Sequence, residues 1–149
     1  MRISWLLGLM LLLAACGPKV IYEEQILFGP EGWNMNQPAV FETTLSDTTD
    51  IVDFGLTFSH GNDYPYSNLW IFLTIQGPNG VQKKDTLEMM LATVDGQWLG
   101  KKSGGEYSVS AVFQPNVRLA EPGLYRFEVQ QGMRNEILRD FNSVSFWVR

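Results

Sequence analysis

Apolar and polar residues alternate along most of the chain. The clearest example spans residues 51–59, where Val52, Phe54, Leu56 and Phe58 fall on one face and polar or small residues on the other. A period of two is typical of a half-buried β-strand. The same alternation predicts strands over residues 106–114, 124–130 and 143–149.

Further strands are predicted between these. Residues 39–45 and 83–92 have strand character, and residues 20–28 are predicted to form a first edge strand. The segment 68–76 (NLWIFLTIQ) is apolar on both faces, which predicts a central strand covered on both sides.

The remaining segments predict turns and loops. Gly, Pro, Asn and Asp clusters predict turns at 77–80, 95–96 and 121–123, because these residues favour turn geometry. Residues 29–38 have the composition of a loop, and residues 101–105 (KKSGG) predict a polar, flexible loop. The best helix candidate is 132–140, and it is short.

About seven or eight short strands with turns between them, and no sustained 3.6-residue period, predict an all-β fold. We expect a single β-sandwich, Ig-like or jelly-roll-like, over residues 29–149. A domain of this size buries about two-thirds of its unfolded surface, so its core needs no disulfide.

The N-terminal segment is predicted to be a signal peptide. Arg2 is followed by an apolar run from residue 5 to residue 13 and then by Ala14 and Ala15. The run is too short for a permanent membrane span. The tetrapeptide at residues 13–16 (LAAC) matches a bacterial lipobox, which predicts cleavage between Ala15 and Cys16 and lipidation of Cys16.

These features predict a signal peptide over 1–15, a lipidated N-terminus, tether and edge strand over 16–28, and the β-sandwich beyond. Membrane lipid would then be contacted through the acylated Cys16. Because Gly17 follows the cysteine instead of the Asp that retains lipoproteins at the inner membrane, we expect the periplasmic side of the outer membrane.

Composition excludes several classes of function. The net charge is −5 over 149 residues and becomes −6 when the signal peptide, with Arg2, is removed; this acidity argues against nucleic acid as a partner. One Cys and one His make a four-ligand zinc site very unlikely. We therefore predict no metal and no cofactor.

The sequence indicates no catalytic residues. The single histidine, His60, lies near Asp63 and could form a base with an orienting carboxylate, but a polar loop residue at a strand end is the expected reading. No G-x-S-x-G elbow or Walker loop occurs. An enzyme is thus the least favoured class.

A set of aromatic residues and their neighbours forms the candidate partner-binding site. Large aromatic side chains either pack in the hydrophobic core or form surface contacts with a protein or a sugar, and the sequence leaves both possibilities open. The candidates are Tyr64, Tyr66, Trp70, Trp98, Met133 and Arg134.

The ordered set of motifs resembles the gliding-motility lipoprotein GldH family of Bacteroidota. The resemblance covers nearly the whole chain after the lipobox, although residues 101–105 and 135–141 depart from the family pattern. It is carried by the lipobox and by YPYSNLW at 64–70, DTL at 85–87, DGQWLG at 95–100, PGLYRF at 122–127 and QQGMR at 130–134.

The resemblance implies a non-enzymatic component of the envelope machinery for gliding and the associated type IX secretion system, with other envelope proteins as partners. A membrane-anchored protein-binding scaffold is the leading hypothesis. The alternative is a carbohydrate-binding or surface glycan-receptor lipoprotein, which needs Trp70 or Trp98 exposed.

Overall fold

A computed structural model describes Gly17 and residues 19–149. This part of the chain is all-β, with eleven strands, eight of which have six or more residues, and it contains no helix. The strands are β1 (Tyr22–Leu27), β2 (Trp33–Asn34), β3 (Ala39–Leu45), β4 (Ile51–His60), β5 (Asn68–Gln76), β6 (Gln82–Met90), β7 (Lys101–Ser103), β8 (Glu106–Arg118), β9 (Gly123–Gln131), β10 (Ile137–Leu138) and β11 (Phe141–Val148).

The longer strands form two antiparallel sheets. The first has the order β1-β11-β4-β8-β7 and the second the order β3-β9-β5-β6. The strand β1 pairs with β11 from Tyr22↔Val148 to Leu27↔Ser143, as expected of an edge strand. The sequence prediction of an all-β sandwich is confirmed.

Aromatic rings join the two sheets. Phe127 of β9 stacks on Phe146 of β11 with 4.1 Å between ring centroids, and Phe54 of β4 meets Phe127 edge-on at 5.2 Å. All three side chains are at most 3% exposed. Because each ring buries a large apolar area, this cluster is a major part of the sandwich core.

The first sheet is also covered on its outer side along β4 and β11. Gly55 of β4 lies beneath the indole of Trp147, which is 5% exposed. The indole N–H donates to Thr57 Oγ1 at 3.2 Å, and the Arg149 guanidinium lies 4.3 Å above the indole ring. The alternation in β4 therefore predicted its core face correctly, but it did not indicate that Trp147 covers the opposite face.

Three sequence predictions are wrong. Residues 132–140 form a turn and β10 instead of a helix, because Ile137 and Leu138 pair with β2. Residues 101–105 do not form a flexible loop: β7 pairs with β8, and Gly104 and Gly105 turn the chain with positive φ. The third error concerns β5, which is central but is not covered on both faces, since Trp70 is 40% and Phe72 48% exposed.

Candidate functional site

Four of the six predicted partner-binding residues meet in one cleft. Tyr66, Trp70, Met133 and Arg134, together with Asn68 and Gly132, line a surface cavity of about 370 Å³ at one end of the second sheet. We call this the Trp70 cleft. The residues come from two segments more than sixty positions apart, and the antiparallel ladder between β5 and β9 brings them together.

The backbone joins the two walls of the cleft. Gly132 N–H donates to the Trp70 carbonyl at 2.7 Å, and Trp70 N–H donates to Met133 Sδ at 3.3 Å. A β-carbon on Gly132 would approach the Phe72 ring at 3.1 Å, so glycine allows the close approach of the two strands. Trp70 and Met133 are thus held side by side.

A buried glutamine fixes the turn that carries Met133 and Arg134. Gln131 is 1% exposed, and its amide nitrogen donates to the carbonyls of Asn135 at 2.9 Å and Glu136 at 3.2 Å. Its amide oxygen accepts from Met133 N–H at 2.9 Å. Gln131 was not among the residues predicted for the site, although it belongs to the QQGMR motif at 130–134; the polar pair after the apolar phase of β9 was the available signal.

Two further hydrogen bonds hold the polar walls. Tyr66 OH donates to Asn135 Oδ1 at 2.7 Å, so the phenol is tied to the same turn. The Asn68 amide donates to Glu88 Oε1 at 2.7 Å on the neighbouring strand. Consequently the cleft has fixed side chains around an exposed indole.

The exposed apolar surface extends beyond the cleft. Trp70, Phe72 and Met90 are 40%, 48% and 51% exposed, and the β5–β6 register places all three on the outer face of the sheet. We call these three residues the outer patch. Phe72 and Met90 were not predicted as exposed, because an apolar strand residue gives no sign of whether its face is covered.

The two remaining candidates belong to a different cluster. Tyr64 is 3% exposed, and its ring lies 5.3 Å from that of His60; Trp98 is half-buried and lies 4.5 Å from His60. Burial raises the pKa of the Tyr64 phenol, which donates to the Asn68 carbonyl at 3.0 Å. Tyr64 is thereby linked to the backbone of a cleft residue, Asn68, but it is buried and is not part of the cleft surface.

His60 is buried and is not a polar loop residue. It ends β4 with no exposed surface, and its Nδ1 lies 2.8 Å from the Gly61 carbonyl, which requires Nδ1 to carry the proton. Nε2 then has a lone pair and no hydrogen-bond partner within the described part of the chain. Burial lowers the pKa of His60, against the opposing effects of the Gly61 carbonyl and the Asp140 carboxylate.

The described residues offer neither a metal site nor a membrane-spanning helix. Within Gly17 and residues 19–149, no three His, Cys, Asp or Glu side chains are grouped closely enough to hold a metal ion. In that part of the chain no helix has the length and apolarity needed to cross a membrane. The predicted cleavage and lipidation residues, Ala15 and Cys16, lie outside the described residues.

Comparisons with known proteins agree on one family. The family profile described as GldH lipoprotein matches residues 20–148. A gliding motility lipoprotein GldH homolog from Christiangramia forsetii is 32% identical over 124 residues, which are 83% of this chain and 75% of the relative. Gliding motility lipoprotein GldH from Flavobacterium johnsoniae is 26% identical over 124 residues, 83% of this chain and 76% of the relative.

A solved structure of infectious bursal disease virus, Gt strain, aligns with 85% of this chain at 14% identity. The alignment spans 29% of the viral chain and has a TM-score of 0.34, which is too low to support an argument about fold or function.

Proposed function

Because this chain belongs to the GldH lipoprotein family, we propose that it is a lipid-anchored, non-enzymatic scaffold of the gliding and type IX secretion machinery of the cell envelope. The Trp70 cleft would dock another envelope protein. One observation carries the proposal: an exposed indole lies in a cleft built from two distant segments, which hydrogen bonds from Trp70 to Met133 and Gly132 hold together. Exposed aromatic anchors of this kind dominate protein-protein interfaces.

The geometry of the cleft favours binding over catalysis. Two of its polar side chains are held by neighbours outside the cleft, since Tyr66 is bound to Asn135 and Asn68 to Glu88. Such a surface is organised before a partner arrives, and preorganisation reduces the entropy cost of association.

Lipid on Cys16 would supply the anchor. Each buried methylene contributes roughly 0.8 kcal/mol, and a single acyl chain binds only reversibly, whereas two or more give stable attachment. The lipobox and the Gly17 that follows it favour the periplasmic side of the outer membrane.

Gene deletion tests the machinery role. We expect loss of gliding, or loss of secretion of cargo proteins in a strain that does not glide, restored by the full chain supplied in trans. Normal motility and normal secretion in the deletion strain would refute the proposed role. When the Cys16→Ala variant is expressed in the deletion strain, the protein should be unlipidated and absent from the membrane fraction.

A glycan-binding lipoprotein is the second candidate. It is favoured by the 40% exposure of Trp70 in a cleft that Tyr66 and Arg134 also line, since exposed aromatic rings and nearby polar side chains can bind sugars. Titration with polysaccharide from the same envelope separates the two candidates. Saturable quenching of tryptophan fluorescence that Trp70→Ala abolishes would favour the glycan, and its absence would favour the protein partner.

A further inference from the structure

The end of the sandwich at which the chain enters β1 lies opposite the Trp70 cleft. The loop 46–50 joins β3 to β4, the turn 77–81 joins β5 to β6, and residues 119–122 join β8 to β9. The antiparallel registers align these three connections with the start of β1 and the end of β11. We call this the anchor end. The cleft lies at the other end, where β5 begins and β9 ends.

The strand β5 sets the distance between the anchor end and the Trp70 cleft. Trp70 is the third residue of β5 and Gln76 is its last. Six residue steps of about 3.3 Å place these two residues roughly 20 Å apart along the strand. The cleft and the anchor end therefore face in opposite directions along the strands.

A short stretch of chain connects the predicted lipid to the anchor end. The chain is fixed to the first sheet from Ile21, whose N–H donates to the Val148 carbonyl at 2.9 Å. Cys16 precedes Ile21 by five residues. Five residues span at most about 18 Å even when fully extended. Acyl chains on Cys16 would therefore keep this end of the sandwich within that distance of the bilayer.

Apolar side chains are exposed at the anchor end. Val20 is 48%, Ile21 43% and Ile51 59% exposed. Beside them a cavity of about 100 Å³ opens towards the core, with Ile21, Val52 and Leu119 among its lining residues. Burial of such side chains is favourable in proportion to the apolar area that leaves water, and the boundary between lipid headgroups and acyl chains provides a site for it.

The charges that flank these apolar residues are nearly balanced. Hydrogen bonds from Thr49, and then from Asp50 N–H, lower the pKa of the Asp47 carboxyl, and the Lys19 ammonium adds to this effect. Arg149 lies 4.0 Å from the Glu23 carboxylate. The flanking residues are Lys19, Arg118 and Arg149 on the basic side and Glu23, Asp47, Asp50 and Asp53 on the acidic side. A membrane contact here would therefore depend on the apolar side chains and not on anionic lipid.

We propose that the anchor end rests on the membrane, with Val20, Ile21 and Ile51 in the lipid interface, so that the Trp70 cleft faces away from the bilayer. This inference rests on the proposed function, because it requires the lipid on Cys16. A tether alone leaves the domain free to rotate, whereas these contacts fix its orientation. A partner protein then reaches the cleft from the side opposite the membrane.

Quenching of a fluorescent label by nitroxide-bearing lipid tests the contact. Cys16 is the one cysteine of the sequence, and acylation consumes its thiol, so an introduced cysteine can be labelled alone with bimane. The lipidated chain with Ile51→Cys is reconstituted in phosphatidylcholine vesicles with a nitroxide near the headgroup. The control is Leu27→Cys, which is 73% exposed at the opposite end of β1. We expect loss of fluorescence at position 51, relative to vesicles without nitroxide, and no loss at position 27.

A second label measures what the apolar side chains contribute. Ser46→Cys places the bimane on the exposed loop of the anchor end. Val20→Ser combined with Ile51→Ser should remove most of the quenching there, and the control Leu27→Ser should not. Replacing part of the phosphatidylcholine with phosphatidylglycerol should not increase the quenching. Thermal unfolding of each variant verifies that the sandwich is retained.

The other outcomes overturn the inference. Equal quenching at positions 51 and 27, quenching that the double substitution leaves unchanged, or quenching that rises with phosphatidylglycerol would each contradict it. If the label at position 51 is not quenched although the protein floats with the vesicles, the orientation is wrong and the lipid-anchored scaffold stands. If the protein does not float with the vesicles, the lipid anchor and this inference fail together.

Discussion

The backbone N–H of Trp70 donates to the thioether sulfur of Met133 across 3.3 Å. The backbone N–H and carbonyl of Trp70 are directed towards the side of β9. Because β9 ends at Gln131, this N–H has no strand carbonyl opposite it and points to the turn that follows. The sulfur replaces the missing carbonyl of the ladder, although a thioether is a weak acceptor. As a result, the exposed indole and the turn that carries Arg134 are positioned together.

We expect Gln131→Leu to open this turn. The substitution removes three part-buried hydrogen bonds, so the free energy of unfolding should fall by about 2–4 kcal/mol. Gln130→Leu is the control, because Gln130 makes one side-chain bond, to the Met35 carbonyl at 2.8 Å. Urea denaturation measures both. Equal losses for the two variants would contradict the role assigned to Gln131.

The stacked pair in the core gives a second prediction. Phe146→Ala should lower the free energy of unfolding by about 3–5 kcal/mol, because it leaves a cavity against Phe127. Leu124→Ala, at an exposed position on β9, should change it by less than about 0.5 kcal/mol. A small effect of Phe146→Ala would mean that the two sheets are not held by these rings.

Gly55 gives a third prediction. A β-carbon there would lie 2.0 Å from Trp147, so Gly55→Ala should destabilise the domain by roughly 1–3 kcal/mol through overpacking. Gly29→Ala is the matched control, since a β-carbon on Gly29 has no neighbour within 4 Å. Chemical denaturation of the two variants compares them. The cover of β4 by Trp147 is refuted if they are equally stable.

The success and failure of the sequence predictions have physical reasons. Alternation located β4, β8, β9 and β11 because their core faces have a period of two, as in β9, where Tyr125, Phe127 and Val129 are buried. The short strands β2, β7 and β10 were missed, because pairs such as Trp33↔Leu138 depend on tertiary contacts, and two or three residues carry no period of their own.

The candidate site was predicted only in part. Tyr66, Trp70, Met133 and Arg134 were each named from sequence, yet nothing in the sequence indicated that they meet, since the β5–β9 register brings them together. Whether an aromatic residue is a core plug or a surface contact depends on what covers its face. The residue's own segment does not contain that information. Tyr64 and Trp70 were both candidates, yet Tyr64 is buried and Trp70 is exposed.

His60 predicts a pH dependence of stability. Burial lowers its pKa in the native state below the ordinary value of 6.5, so below pH 6.5 the unfolded chain binds a proton that the native protein does not. The free energy of unfolding should therefore fall as the pH drops through 6.5 towards the native pKa, and the slope that His60 contributes should fade as the pH rises towards 8.

The comparison variant is His60→Phe, which keeps a ring beside Trp98 and Tyr107 and does not titrate. Denaturation curves between pH 5 and pH 8 should show a shallower slope for this variant below pH 6.5. Identical slopes for the two proteins would show that His60 is protonated equally in both states.

The central claim, that the Trp70 cleft docks an envelope protein, is tested most directly by quantitative affinity purification after crosslinking of intact cells. The full chain is compared with Trp70→Ala and with Leu124→Ala, an exposed apolar residue of the same sheet outside the cleft. The account predicts a partner that the full chain and Leu124→Ala recover equally and that Trp70→Ala, at equal abundance in the membrane fraction, does not. Equal recovery by Trp70→Ala would contradict it.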